Sequence, residues 1–317
     1  MRQKIFILLL FLTTTAFAQK PVIEWSKTFG GDSSEYGAAI VQTVDSGYLV
    51  AAMTYSSNED VHGHYGRQDI WLLRLNPDGD TLFTKCIGGS WQEYPTDLKC
   101  TPDSGFILIG YSSSTDGSTP SPGYGNYDFW IVKMDKDCNI EWEKKYGGSE
   151  FDYGQSILVC DSFYLAGGSA YSNDGCVHGN HSALFSDFWV LKLDLNGDTI
   201  WTKCFGGSLY EYGCSLLGLD DNGFMLIGET RSNDGDVSGF HGKSDYWVAR
   251  IGSAGSLVWQ KCFGGSDRDR PYDISKGHNH SYLITGFTAS NDGDVSGNHG
   301  FDDVWVVEID TNGNIKN

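Results

Sequence analysis

Asp245-Tyr246-Trp247-Val248-Ala249-Arg250-Ile251 decides the fold, because an Asp-x-Trp strand of this kind returns four more times. Trp71, Trp130, Trp189, Trp247 and Trp305 fall 59, 59, 58 and 58 residues apart. So regular a period, with one supersecondary unit per copy, marks a solenoid or a propeller. Around Trp130 the strand alternates Trp130, Val132 and Met134 with Phe129 and Ile131. Two apolar faces on one strand predict cover on both sides.

Outward from the Trp strand, other marks keep the same register. An aromatic strand ends in paired glycines at Trp25–Gly31, Phe83–Gly89, Trp142–Gly148, Trp201–Gly207 and Trp259–Gly265. An acidic residue follows at Glu35, Glu93, Asp152, Glu211 and Asp269, and in four units a Tyr comes next. Two further short strands and a loop, Ser-Asn-Asp-Gly in the last three units, complete each unit, and turns such as Pro77-Asp78-Gly79 and Asn196-Gly197-Asp198 close the hairpins. The units run from about 25–83, 83–142, 142–201, 201–259 and 259–317. Each holds four short antiparallel strands and no helical period, so the expectation is all-β: a five-bladed β-propeller of four-stranded antiparallel blades. The chain starts on the last strand of a unit, Ile23 to Phe29, and ends after the third strand of the fifth. The N-terminal strand, around Trp25, is therefore expected to complete the last blade beside the strand of Trp305 and close the ring, removing its open edges. The repeated Trp residues read as packing between blades.

Residues 1–18 stand apart. Arg2 and Lys4 precede an apolar run from Ile5 to Leu12 and then Ala16-Phe17-Ala18, the pattern of a cleaved secretory signal. Thr13, Thr14 and Thr15 interrupt the run before it reaches the roughly 18 apolar residues of a membrane span, and no later stretch qualifies. Residues 19–317 then form one domain, exported to the periplasm, cell surface or medium. The formal charge of −19 repels nucleic acid and anionic lipid and favours cations, cationic partners or neutral ligands. Of the eight cysteines, Cys86, Cys204 and Cys262 share one repeat position and so lie in different blades, too far apart for a disulfide. The spacing of the others leaves pairing open.

The units resemble the secreted bacterial β-propeller repeats written W-x-K-x-x-G-G, D-G-G-[FY], S-N-D-G-D-V-S-G-x-H-G and D-[YF]-W-[VI]-[VL]-K. Residues 232–249 and 290–307 carry the likeness best. The resemblance implies an exported cell-surface protein of a group whose activities are mostly unassigned and which is often cargo of type IX secretion. The C-terminal sorting domain common there is not read in the residues up to Asn317, so release into the periplasm stands as the alternative.

Three constellations could carry chemistry. Asp234, Asp236, Ser238 and Asp245 occupy positions 1, 3, 5 and 12 of an EF-hand-like loop with Gly239 at position 6, and Asp292, Asp294, Ser296 and Asp303 repeat the pattern with Gly297. Such oxygens could hold calcium, weakly, because Asp at position 12 reaches less far than Glu. Against that, Asn-Asp-Gly turns are ordinary loop chemistry. The aligned His64, His181, His241 and His299 are expected to bond within their own loops. The acidic ring Glu35, Glu93, Asp152, Glu211 and Asp269 either accepts hydrogen bonds from the glycine-rich turns, the plainer reading, or binds a cation or polyhydroxyl ligand at the channel mouth.

Catalysis needs a break in symmetry. The innermost strands carry Ala39, Asp97, Ser156, Ser215 and Asp273 at one channel-facing position, so only Asp97 and Asp273 bring a carboxylate there. Five-bladed glycosidases place their acid and their nucleophile or base in such a channel, although the third carboxylate and the sugar-platform aromatics of those enzymes have no counterpart that spacing identifies. The leading expectation is a non-catalytic exported propeller that presents its loops to an extracellular glycan or surface protein. A glycoside hydrolase using Asp97 and Asp273 is the alternative, and a purely structural envelope protein is a third.

Overall fold

The computed structural model describes residues 22–316, so the expected signal segment 1–18 lies outside the described residues. Nineteen strands are present, and no helix occurs among the described residues. The first blade holds β1 (Glu35–Gln42), β2 (Tyr48–Thr54), β3 (Asp69–Leu75) and β4 (Thr81–Ile87). The second holds β5 (Glu93–Cys100), β6 (Phe106–Ser112), β7 (Asp128–Met134) and β8 (Ile140–Tyr146), and the third β9 (Asp152–Val159), β10 (Tyr164–Ala170), β11 (Asp187–Leu193) and β12 (Thr199–Phe205). The fourth holds β13 (Glu211–Gly218), β14 (Phe224–Thr230), β15 (Asp245–Ile251) and β16 (Leu257–Phe263). The fifth has three strands, β17 (Asp269–Lys276), β18 (Tyr282–Thr288) and β19 (Asp303–Ile309). Within each sheet the strands pair antiparallel in chain order, which makes the chain a five-bladed β-propeller.

The core lies between blades because the Trp strand is apolar on both faces. Phe129 sets its ring edge-on to Trp189 at 4.7 Å, Phe188 meets Trp247 at 4.9 Å and Tyr246 meets Trp305 at 4.6 Å. The residue before Trp in one blade thus packs on the Trp of the next. Trp71, Trp130, Trp189 and Trp247 are fully buried, and each withdraws about 150–250 Å² from water, about 4–6 kcal/mol at the usual area coefficient. Glycine permits the close approach of strands at these joints. A Cβ on Gly228 would stand 1.7 Å from the Gly213 carbonyl oxygen and 2.5 Å from the Phe188 ring.

Closure of the ring by the N-terminal strand is corrected by the structure. Residues 22–31 form no strand, and the place beside β19 is taken by the C-terminal residues: Ile315 bridges Ile309, and Lys316 N–H donates to the Glu308 carbonyl at 2.8 Å. Trp25 packs instead across the Tyr48 ring and Gly79 of the first blade, and with Phe29 it covers Trp71, Leu73 and Leu75. Blades one and five consequently do not pack as the other neighbours do. Leu98, Ile157, Leu216 and Ile274 point back to the preceding blade and are at most 5 % exposed, whereas Ile40, at the same repeat position, is 60 % exposed. Val304, at the position of the buried Ile70, Phe129, Phe188 and Tyr246, is 81 % exposed. The ring has a seam.

Candidate active site

The innermost strands begin at one mouth of the propeller and run inward, and each breaks register near its third residue. The shifts fall between Pro95 and Asp97 on β5, Tyr212 and Ser215 on β13, and Pro271 and Asp273 on β17. On β9 one residue, Gln155, is skipped between Gly154 and Ser156. A bulge re-aims the side chains that follow it. Here it turns the symmetry-breaking position inward in four blades, and Asp97, Lys99, Ser156, Ser215, Arg270 and Asp273 line one cavity of about 450 Å³. Ala39 of the first blade does not line it, in keeping with the seam.

The two carboxylates that the sequence singles out therefore share a cavity, in unlike surroundings. Asp97 Oδ1 accepts from Lys99 Nζ at 2.7 Å and from Leu98 N–H at 2.8 Å, and its Oδ2 accepts from Ile157 N–H at 3.1 Å across the blade boundary. Asp273 Oδ1 accepts from Ile274 N–H at 2.9 Å and from Ser215 Oγ at 3.3 Å. One acid is tied by a cation and two amides, the other by neutral groups alone.

Sequence reasoning missed an aromatic belt at the same mouth. Tyr94 stacks on Tyr111 at 4.7 Å, Tyr111 stands edge-on to Tyr153 at 5.0 Å, Tyr153 to Tyr171 at 6.3 Å, and Tyr171 to Tyr210 at 6.2 Å. Tyr127 and Phe151 thicken it. Spacing alone does not bring these rings together. The available signal was the Tyr after the acidic residue in four units, which contributes Tyr94 and Tyr153, but their partners come from other repeat positions.

The acidic ring is not a ligand ring, and that reading of Glu35, Glu93, Asp152, Glu211 and Asp269 is corrected. The last four are fully buried. Each takes a hydrogen bond from the second glycine of the preceding turn: Gly89 to Glu93 at 2.9 Å, Gly148 to Asp152 at 2.8 Å, Gly207 to Glu211 at 2.9 Å and Gly265 to Asp269 at 2.8 Å, with Gly31 to Glu35 at 3.2 Å. Neighbouring hydroxyls take up further oxygens, as Ser112 does on Glu93 and Thr230 on Glu211. The glycines make the room: a Cβ on Gly206 would sit 2.4 Å from Glu211 Oε2 and 2.5 Å from Asp187 Oδ1. Burial pushes Asp152 up to about 6 and Glu211 up to about 7. The Asp that opens the Trp strand behaves alike, burial raising Asp69 to about 7 and Asp187 and Asp245 to about 6.

The calcium loops do not converge either. Asp234 Oδ1 accepts from Ser208 N–H at 2.7 Å, Asp236 from Gly206 N–H at 3.3 Å, and Asp245 from His241 N–H at 2.9 Å and Nδ1 at 2.7 Å, while Ser238 Oγ meets Gln260. In the fifth blade Asp292 takes Ser266 N–H at 2.7 Å, Asp294 takes Gly264 N–H at 3.3 Å, and Asp303 takes His299. Oxygens spent on backbone donors in different directions staple the loop to the glycine turn. Among the described residues no group of three or more His, Cys, Asp or Glu is placed to hold a metal ion. The seven described cysteines are free thiols.

No family model matches the chain. A curated relative, the regulatory protein FlaEY of Caulobacter vibrioides, is 26% identical over 213 residues, which cover 62% of this chain and 22% of that protein. The chain thus spans about a fifth of the length of the curated relative it matches. Among solved structures, an α-L-arabinofuranosidase from Lactobacillus brevis aligns with TM-score 0.44 at 10% identity, covering 87% of this chain and 91% of that one. A levansucrase variant from B. megaterium aligns at 0.39 and 11% (88% and 82% covered), and a thermostable family-43 glycoside hydrolase at 0.40 and 11% (88% and 91%). All three are named as enzymes; the expectation of a non-catalytic propeller is corrected in favour of its alternative by the cavity that Asp97 and Asp273 share. At such identities the likeness concerns the fold.

Proposed function

We propose that this chain is a glycoside hydrolase of the extracytoplasmic space, with Asp97 and Asp273 as its pair of working carboxylates. The observation that carries the reading is their meeting in one cavity under unlike hydrogen bonding, which is what acid and base work on a glycosidic bond asks of two like side chains. Asp273, held by neutral donors, is placed to hand a proton to the leaving oxygen. Asp97, tied to Lys99 and two amides, is placed to attack the anomeric carbon or to draw the proton from an attacking water. Ser156 and Ser215 line the cavity between them as hydroxyl partners for substrate, and the tyrosines at the mouth offer flat faces to sugar rings. The extracytoplasmic location rests on residues 1–18 and on the likeness to exported propeller repeats.

The test is a hydrolysis screen over plant, algal and bacterial oligosaccharides. Any turnover found should fall by at least about a thousandfold in both Asp97→Asn and Asp273→Asn, as loss of an acid or a nucleophile does. Turnover that survives in either variant refutes the assignment. N-terminal sequencing of the exported protein should find residues 1–18 removed.

A further inference from the structure

Two arginines at the channel mouth share one buried carboxylate. Arg231 sits 3.0 Å from Glu229 Oε1 through Nη2 and donates to it through Nε at 3.1 Å, while Arg270 Nε lies 3.6 Å from Glu229 Oε2. Glu229 is buried, whereas Arg231 keeps 48 % of its side chain exposed and Arg270 keeps 34 %. Two positive charges against one negative leave a surplus of one, at the mouth of a chain whose formal charge is −19.

Aromatic faces surround that surplus. The Arg231 guanidinium stands 5.7 Å from the Tyr210 ring centre, and that of Arg270 stands 5.0 Å from Tyr212 and 5.6 Å from Tyr272. Tyr171, Tyr210 and Tyr212 enclose with Glu229 and the two arginines a cleft of about 270 Å³, and Arg270 lines both this cleft and the cavity of Asp97, Tyr272 and Asp273. The two spaces meet at Arg270.

These groups break the repeat. Where the fifth blade has Arg270 the other four have Tyr36, Tyr94, Tyr153 and Tyr212, and where the fourth has Glu229 the others have Met53, Tyr111, Ser169 and Phe287. Architecture does not require the exchange, since four blades are built without it. A guanidinium fork with open donors fits the planar carboxylate of a uronate or the oxygens of a sulfate ester, and tyrosine faces fit the apolar side of the sugar that bears it.

We infer that the mouth selects glycans carrying an anionic group, a uronate or a sulfate ester, beside the sugar that reaches Asp97 and Asp273. This rests on the hydrolase reading for its second half only. Glu229 is a positioning residue that fixes the spacing of the two arginines, and Arg231 and Arg270 are the specificity-determining pair.

The experiment is calorimetric titration of the full chain carrying Asp97→Asn, so that ligand survives, with trigalacturonate, a sulfated galactotriose and neutral galactotriose. At least one charged probe should bind at least about tenfold tighter than the neutral one, the discrimination expected of a charge-assisted fork. Which of the two charged probes binds names the anion as carboxylate or sulfate. Replacing Arg231, Arg270 and Glu229 together by Gln, which removes both guanidinium groups without stranding a buried charge, should erase the preference, so that charged and neutral probes bind alike. Arg270→Lys, a milder change checked by an unaltered Tm, should lose part of it. Equal affinity for charged and neutral probes, no binding of either charged probe, or a preference that survives both variants overturns the inference. Absence of turnover on every glycan with the preference intact overturns the hydrolase reading alone.

Discussion

Leu98 and Ile40 occupy the same repeat position, yet Leu98 is 1 % exposed between blades one and two while Ile40 is 60 % exposed at the seam. Truncating each to Ala separates packing from sequence pattern. Leu98→Ala opens a hole among Leu49, Ile70, Leu108 and Trp130, all in the same buried cluster, and such holes cost about 2–5 kcal/mol because the surroundings collapse only in part. Ile40→Ala removes methyl groups that already touch water, a change expected within about 0.5 kcal/mol. Urea unfolding followed by tryptophan fluorescence reads both through the midpoint, provided the slope is unchanged. A gap of at least about 2 kcal/mol between the variants is expected. Equal losses would show that Ile40 is buried in solution and would refute the open seam.

Raised carboxyl groups make a pH prediction. Asp69 and Glu211 at about 7 and Asp152, Asp187 and Asp245 at about 6 hold protons in the fold that the unfolded chain gives up near 4. Their contribution is fully present below pH 4 and is lost as pH rises through 6 to 7, with a slope of about 1.4 kcal/mol per pH unit for each group in its window. Tm should therefore fall between pH 5 and 8, and a Tm that climbs over that range contradicts the buried pairs. Calcium at millimolar levels, or a chelator, should leave Tm where it is, since Asp234, Asp236, Asp292 and Asp294 are spent on backbone amides; a rise of several degrees with calcium would restore the loops as cation sites. Glu211→Ala strands the Gly207 amide and the Thr230 hydroxyl in a buried turn and should cost about 2–5 kcal/mol by denaturant unfolding, with Glu211→Gln costing less.

Period, strand number and blade register were legible because each follows from spacing, and spacing survives substitution. The seam was not. The motif from Trp25 to Gly31 says what that segment resembles, and its Trp does cover a hairpin glycine, Gly79, as Trp201 covers Gly255 and Trp259 covers Gly313. That Ile315, and not the segment of Trp25, bridges Ile309 at the edge of β19 is a long-range matter that no local pattern writes. The acidic ring shows a similar limit. Its place before each innermost strand was readable, but which way a carboxylate turns depends on the space vacated by the paired glycines, a matter of fractions of an ångström. Asp97 and Asp273 stand out because they break the repeat, and they line one cavity; the tyrosine belt escapes the pattern because Tyr111, Tyr171 and Tyr210 belong to unlike repeat positions that only the folded sheet brings together.

Symmetry also explains why the cavity sits where the bulges are. Five identical strands facing one axis would present five identical side chains, and a ring of like groups can neither divide acid from base nor orient a substrate. The bulge frees one residue per strand from ladder pairing, at Thr96 and Tyr272 in the strands that matter, so the side chain after it is not needed by the sheet. Thr96 repairs the local loss by sharing its one hydroxyl proton between the carbonyls of Ile109 and Gly154, which ties the second blade to the third at the very point where Asp97 accepts from Ile157. Thr96→Val is the sharp test of that coupling: it keeps the shape, removes both hydrogen bonds and should lower turnover by moving Asp97, with a stability loss of only about 1–2 kcal/mol. Unchanged turnover at reduced stability would place Thr96 in the scaffold alone.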